Sequence, residues 1–335
     1  MLKIAVLGCG RIGRMHASNI VAHPRARLVA VYDTHTPFAE EVAAAQGVHL
    51  AKTPEEIFSA ADVDAVLIAS ATPTHADYIE AAVAAGKPVL CEKPIDLSLA
   101  RVNACAERVR DKGVPIQIGL NRRFDPGHRA ARAAVAAGEI GELHQVIITS
   151  RDPEMPPRSY YEQAGGLFRD MVIHDFDLAR FMLAEEPVEV FAIGGRLIDP
   201  VLMGELNDYD TSMVIMSTAS GKQCHINTSR TSTFGYDQRV ELLGTKGMVQ
   251  SLNRKPVEVR KFKAEQVEAA EPYLNFFIER YREAFDAEID SFIDAIENGT
   301  PVEADFEDGR RALILAEAAM QSVAEGRSIG VDEVL

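Results

Sequence analysis

The feature that most limits how this chain can fold lies in its first 120 residues, where short β-branched runs alternate with alanine-rich stretches. Leu2 to Leu7, Leu28 to Asp33, Asp64 to Ser70, Pro88 to Glu92 and Pro115 to Leu120 read as strands. Helical stretches at Arg11 to Ala22, Pro37 to Gln46, Thr74 to Ala85 and Ser98 to Asp111 lie between them. Strands that are apolar throughout, rather than at alternate positions, are buried on both faces. That burial requires a parallel sheet with helices on each side, a doubly wound α/β domain of Rossmann type.

After Asn121-Arg122-Arg123-Phe124 the rhythm changes. One helix, Asp125 to Ala137, precedes a series of strands at Glu142 to Ser150, Val188 to Ile198, Thr211 to Thr218, Lys222 to Arg230, Arg239 to Leu252 and Val257 to Phe262. Turns fall at Gly221 and at Gly244 to Gly247. Consecutive strands imply an α+β domain built on a mainly antiparallel open sheet, with helices to one side. Two helices, Tyr281 to Asn298 and Asp308 to Glu325, complete the chain. The expected division is residues 1–122 and 123–335, which suits 335 residues.

The chain carries 35 Lys and Arg against 50 Asp and Glu, a net charge of −15. Such a surface repels phosphate backbones and anionic bilayers, so neither nucleic acid nor membrane is an expected partner. No apolar run reaches the ~18 residues that a membrane-spanning helix needs. Cys9, Cys91, Cys105 and Cys224 are scattered, without a CxxC pair, so reduced thiols in a cytoplasmic protein are expected.

Three motifs carry chemistry. Gly8-Cys9-Gly10-Arg11-Ile12-Gly13 has GxGxxG spacing, directly after a strand and at the start of a helix, and the next strand ends in Asp33. Gly8 permits the tight turn, Gly10 lets backbone approach a pyrophosphate, and Gly13 allows helix and strand to pack closely. The helix N-terminus then receives the phosphates. Asp33 accepts ribose hydroxyls and would repel a 2′-phosphate, which favours NAD over NADP, although Arg11 and His35 add positive charge nearby. The second motif runs from Gly165-Gly166 through Asp170 to His174-Asp175-Phe176-Asp177. At 100° per residue, Asp170, His174 and Asp177 share one helical stripe, a carboxylate one turn before a histidine suited to general-base work. Glu92-Lys93-Pro94 follows a strand at its carboxyl end, where ligands of open parallel sheets bind. The chain lacks HxxxH and HExxH pairs, so no metal is expected.

These residues resemble the glucose-fructose oxidoreductase / inositol dehydrogenase / MocA family over nearly the whole chain. Gly119 to Pro126, Thr149-Ser150-Arg151-Asp152-Pro153 and Phe234-Gly235-Tyr236-Asp237-Gln238-Arg239 look like its bacterial inositol 2-dehydrogenase branch. The resemblance implies an NAD-binding Rossmann domain over residues 1–122, an α+β substrate-binding and oligomerisation domain with a large open sheet over 123–335, a homotetramer, and NAD-dependent oxidation of myo-inositol to 2-keto-myo-inositol. It implies that Lys93 polarises the reacting hydroxyl while Asp170 and His174 orient and deprotonate it. Arg123, Asp152 and Tyr236 would hold other ring hydroxyls. Gly8, Gly10, Arg11, Ile12, Gly13, Asp33, Ser70, Thr72, His75, Glu92 and Lys93 would hold the cofactor. One segment departs from the family pattern: Ser70-Ala71-Thr72-Pro73-Thr74-His75 keeps the histidine but not an initial Thr-Pro. Two alternatives stay open, a related polyol or aldose dehydrogenase (scyllo-inositol or glucose, with NAD or NADP) and a nucleotide-binding sensor without turnover.

Overall fold

The computed structural model describes residues 1–335 and resolves two compact units, Met1–Asn121 with Ala284–Leu313, and Arg122–Glu283 with Ile314–Leu335. The expected division into two consecutive segments is corrected here, because residues near the C-terminus return to the first unit. Ile289, Phe292 and Ile293 recur at helical spacing and join one core with Ile4, Val6, Leu67 and Leu90. An apolar helical stripe follows the surface it buries, not its place in the chain. No helix is long and apolar enough to cross a membrane.

In the first unit the chain forms β1 (Leu2–Leu7), α1 (Arg11–Ala22), β2 (Ala26–Tyr32), α2 (Thr36–Gln46), β3 (His49–Leu50), α3 (Pro54–Ser59), β4 (Ala65–Ile68), α4 (His75–Ala84), β5 (Val89–Glu92), α5 (Leu99–Val109) and β6 (Ile116–Gly119). The strands pair in parallel in the order β3-β2-β1-β4-β5-β6. The order reverses between β1 and β4, which opens the crevice where doubly wound sheets take ligands. Every residue of β4 and β6 is buried, as the unbroken apolar runs require. β3 carries no sequence signal because two residues show no periodicity.

The second unit contains α6 (Pro126–Ala136), β7 (Leu143–Arg151), α7 (Arg158–Ala164), a π-helical turn at Phe168–Val172, α8 (Ile173–Leu183), β8 (Pro187–Gly195) and α9 (Pro200–Glu205). β9 (Thr211–Thr218), β10 (Gln223–Ser229), β11 (Asp237–Gly244), β12 (Gly247–Ser251), β13 (Arg260–Lys263), β14 (Gln266–Ala270) and α10 (Phe277–Arg280) follow. α11 (Arg282–Asn298), α12 (Phe306–Glu325) and β15 (Ile329–Gly330) end the chain. Seven strands form one sheet in the order β12-β11-β7-β10-β9-β8-β15, antiparallel except where β7 and β10 run parallel. The single long run expected from Arg239 to Leu252 is a hairpin, with Gly244 opposite Gly247. The run at Val257 to Phe262 yields only β13, in a separate two-stranded hairpin with β14.

On the inner face of the large sheet, Val146, Ile148, Val214, Met216, Ile226 and Leu242 are buried. Its outer face is also apolar: Ile193, Met213 and Ile215 are 58%, 60% and 55% exposed, and Ile193 lies opposite Met213. Beneath the inner face, charged residues close to Phe124 meet α8 and α10. Arg122 pairs with Asp175, Arg123 grips Asp177 through Nε at 2.8 Å, and Arg280 reaches Asp125 at 2.5 Å, all buried. Asp125 also caps α6, accepting from the His128 backbone N–H at 3.1 Å.

His128 is buried, with Nδ1 2.9 Å from Ser251 Oγ. Burial, opposed by Asp125 and reinforced by Arg280, pushes its pKa down to about 3. The folded protein therefore keeps His128 neutral while the unfolded chain takes a proton near pH 6.5, so stability falls as pH drops from about 6.5 toward 3. The linked loss is on the order of 5 kcal/mol if fully expressed. His128→Gln should flatten the fall of the melting temperature across that acid range, and an unchanged acid slope would show that His128 does not drive it.

Candidate functional site

The first half of the site gathers at the carboxyl ends of β1, β2, β4 and β5. Gly8 sits at φ +100°, and a Cβ there would lie 2.3 Å from the backbone of Ala69 and Ser70. A Cβ on Gly13 would come within 1.9 Å of the Gly8 carbonyl oxygen. Both glycines are thus demanded by backbone contacts between β1, α1 and the end of β4. Gly10 differs: a Cβ there would meet nothing within 4 Å. It is the N-cap of α1 and offers no side-chain cap, unlike Ser98 and Asp125 on α5 and α6. An open approach to an uncapped helix N-terminus fits an anionic group, so these residues fit the pyrophosphate of a dinucleotide.

Asp33, one residue past β2, accepts the Cys9 backbone N–H at 2.6 Å through Oδ2 and the His35 N–H at 2.7 Å through Oδ1. It therefore anchors the glycine loop while keeping lone pairs for further donors. Ser70 Oγ lies 2.7 Å from Thr74 Oγ1. His75 is buried between two carbonyls, with Nδ1 2.8 Å from Pro94 O and Nε2 2.9 Å from Ser70 O. Burial lowers its pKa, and the ring links the Ser70 loop to the turn after Lys93. The Lys93–Pro94 bond is cis. Glu92 faces His16 of α1, 2.8 Å from its Nε2. His75 thus ties two loops together, and Glu92 ties the end of β5 to α1.

The second half forms around α8. Asp170 lies in an i→i+5 turn at Phe168–Val172, directly ahead of α8, which carries His174 and Asp177. Asp177 accepts from Arg123 and lies 3.4 Å from Arg180. Gly165 and Gly166 have φ of +84° and +88°, and Asp208 accepts the Leu167 N–H at 2.9 Å, which fixes the entry to the turn. Asp170 accepts from Tyr160 Oη at 2.7 Å and from Arg230 at 2.8 Å. Arg230 also donates to Asp152 at 3.2 Å and stacks over Tyr161. Within the buried run from Met171 to Arg180, His174 is the one residue that keeps partial exposure.

Burial drives the electrostatics of this half. It pushes Asp152 above the usual carboxylate range, against the pull of Arg230. Tyr160 is raised by burial and by Asp170, and Tyr236, edge-on to Tyr281 at 6.0 Å, is raised by burial. Asp175, buried beside Arg122, is pushed up to about 6 because desolvation outweighs the cation. Arg123 faces Asp177 and Phe181. Arg230 and Tyr160 bridge that group, and sequence reasoning passed over both. The available signals were slight: an arginine just past the polar end of β10, and the Tyr160-Tyr161 pair.

The family profile described as "Oxidoreductase family, NAD-binding Rossmann fold" matches residues 2–120, and "GFO/IDH/MocA C-terminal domain" matches 128–250. The chain is 48% identical over 330 residues to an inositol 2-dehydrogenase of Rhizobium meliloti, covering 98% of this chain and 99% of that one. A crystal structure of a myo-inositol dehydrogenase from Corynebacterium glutamicum superposes with a TM-score of 0.95 at 44% identity, covering 98% of each chain. A scyllo-inositol dehydrogenase from Lactobacillus casei, solved with NAD(H) and scyllo-inositol, gives 0.91 at 30% identity over 99% of both chains.

The two glycines make separable predictions. Gly13→Ala places a methyl against backbone that has no room to shift, and should lower the melting temperature by more than about 5 °C. Gly10→Val meets open space, so it should melt within about 2 °C of wild type yet lose its stabilisation by NAD. Thermal shift with and without NAD checks both, and NAD stabilisation retained by Gly10→Val would place the pyrophosphate elsewhere. With both halves matched by their domain profiles and relatives aligned end to end, the chain belongs to the GFO/IDH/MocA family of oxidoreductases.

Proposed function

We propose that the protein is an NAD-dependent inositol 2-dehydrogenase that oxidises the axial secondary hydroxyl of myo-inositol to 2-keto-myo-inositol. The observation that carries this reading is the Asp152–Arg230–Asp170–Tyr160 network beside His174. Its fixed donors and acceptors match a ring of neutral hydroxyls, and a substrate lacking one would leave buried polar groups unpaired. The likeness to inositol dehydrogenases over the full chain supports the same substrate class.

NAD supplies the hydride acceptor at C4 of its nicotinamide. Gly8, Gly10, Arg11, Ile12, Gly13, Ser70 and Thr72 hold it, and Asp33 takes the ribose hydroxyls and disfavours a 2′-phosphate. His75 and Glu92 serve that site by keeping its loops in place. Lys93 binds the reacting hydroxyl and stabilises negative charge as it develops on that oxygen. His174 removes the hydroxyl proton, and Asp170, oriented by Tyr160 and Arg230, favours the imidazolium that forms. Asp152 and Tyr236 hold neighbouring hydroxyls. Arg230 joins this set beside Arg123, whose guanidinium Asp177 anchors. Four buried, unpaired cysteines suit a cytoplasmic enzyme.

His174→Ala should reduce kcat by roughly 10²–10⁴-fold while NAD binding is retained, and near-wild-type turnover would remove His174 from the chemistry. Nicotinamide absorbance read over myo-inositol, scyllo-inositol and glucose, with NAD or NADP, should show the highest kcat/KM for myo-inositol with NAD. The scyllo-inositol complex of the Lactobacillus casei relative favours that isomer as the second substrate. NAD binding with no reduction by any polyol would leave a sensor.

We also infer a homotetramer that buries the outer face of the large sheet. Ile193, Met213 and Ile215 would otherwise stay over half exposed on one apolar surface. Met213→Glu should shift the sedimenting species to a smaller assembly, and an unchanged sedimentation coefficient would put the interface elsewhere.

A further inference from the structure

The rim of the turn between β2 and α2 carries an arginine that the proposed chemistry leaves unused. Arg14 stands one residue past Gly13 on α1, and its Nε donates to the Cys9 carbonyl oxygen at 3.0 Å. The backbone N–H of the same cysteine donates to Asp33 Oδ2 at 2.6 Å. The guanidinium and the Asp33 carboxylate therefore flank one residue of the glycine loop. The Cys9 thiol feels both charges: burial and then Asp33 push it up to about 12, while Arg14 pulls it down. The far side of the turn closes on the same arginine. The His35 N–H donates to Asp33 Oδ1 at 2.7 Å, the His35 ring meets Phe38 edge-on at 4.4 Å, and the Phe38 ring lies 5.0 Å from the Arg14 guanidinium carbon.

Glu41 completes this ring of contacts. It follows Phe38 by three residues on α2, hence on the same helical face, and takes both terminal nitrogens of Arg14, Nη1 at 2.9 Å and Nη2 at 2.8 Å. Such a two-point pair fixes the plane of the guanidinium as well as neutralising it. With side chains 37% and 65% exposed, the pair is solvated and adds little to stability. Its consequence lies in what the guanidinium can no longer take. The planar fork that Glu41 occupies is the one that an arginine uses for a phosphate ester, and here it stands beside the acid assigned to the ribose hydroxyls.

We propose that Glu41 is a specificity-determining residue for the dinucleotide: it occupies the fork of Arg14 and so withholds from a 2′-phosphate the cation that stands beside Asp33. Discrimination against NADP then has two parts, repulsion by Asp33 and neutralisation of Arg14 by Glu41. The inference deepens, and rests on, the reading of the glycine loop and Asp33 as the dinucleotide site. NAD carries an uncharged hydroxyl where NADP carries its extra phosphate, so its affinity is indifferent to whether Arg14 is paired.

Calorimetric titration of the full-length protein with NAD and with NADP tests this without relying on turnover. Glu41→Ala should bind NADP about five- to ten-fold more tightly than wild type, the scale of one charge contact in water, and NAD within about two-fold of wild type. The double variant Glu41→Ala/Arg14→Gln should lose that gain, because it runs through the guanidinium. The gain should also shrink between about 0.05 M and about 0.5 M salt, since exposed charges are screened. Glu41 is exposed, so Glu41→Ala should melt as wild type does and its binding can be compared directly. NADP affinity unchanged in Glu41→Ala, or a gain that survives in the double variant or at high salt, would overturn the proposal while NAD binding by wild type keeps the underlying site. Wild type that binds neither dinucleotide would instead refute the reading of the glycine loop, and the proposal with it.

Discussion

The second unit depends on three buried arginine–carboxylate pairs, Arg122 with Asp175, Arg123 with Asp177 and Arg280 with Asp125. Each takes two charges out of water, and removing one partner from such a pair costs about 3–5 kcal/mol because the other stays buried and uncompensated. Together they join the chain at residues 122–125 to α8 and α10. α8 carries His174 and is preceded by Asp170, so the placement of the proposed base follows from these ion pairs. Two of the family-like segments thus serve largely to lock one another.

The first unit relies on a different constraint, the contact of backbone with backbone. The Gly13 position sits against the Gly8 carbonyl, and the Gly8 position against Ala69 and Ser70. These contacts bring the carboxyl ends of β1 and β4 together at the switch point, and Asp33 holds the loop from the third side through the Cys9 N–H. His75 then ties the Ser70 loop to Pro94, so the groups expected around a dinucleotide are rigidly connected before one binds. Such preorganisation lowers the ordering cost of binding.

Much of the fold was legible in the sequence because its period signals are strong. The apolar strands and alanine-rich helices of the first unit fall within a few residues of their expected ends, and α1 matches at both. Where the reading failed, a non-local term intervened. The return of α11 to the first core is a packing decision between residues nearly 300 positions apart, such as Ile4 and Phe292. Neither the π-turn at Phe168–Val172 nor the pairing of Asp177 with Arg123 is contained in a regular helical period. Arg230 was passed over because its partners lie 60 and 78 residues away.

By itself the sequence determined the parallel Rossmann sheet, the glycine loop with its acid, and the residue types for hydroxyl oxidation, because periodicity and short motifs are local properties of a chain. Only the tertiary structure decided which carboxylates each buried arginine meets. Arg123 and Arg230 are the same side chain in the alphabet. Asp177 holds one in a buried ion pair, while Asp152 and Asp170 hold the other. That difference is fixed by the partner each arginine meets after burial, since a charge removed from water must find its counter-charge wherever the fold has brought one.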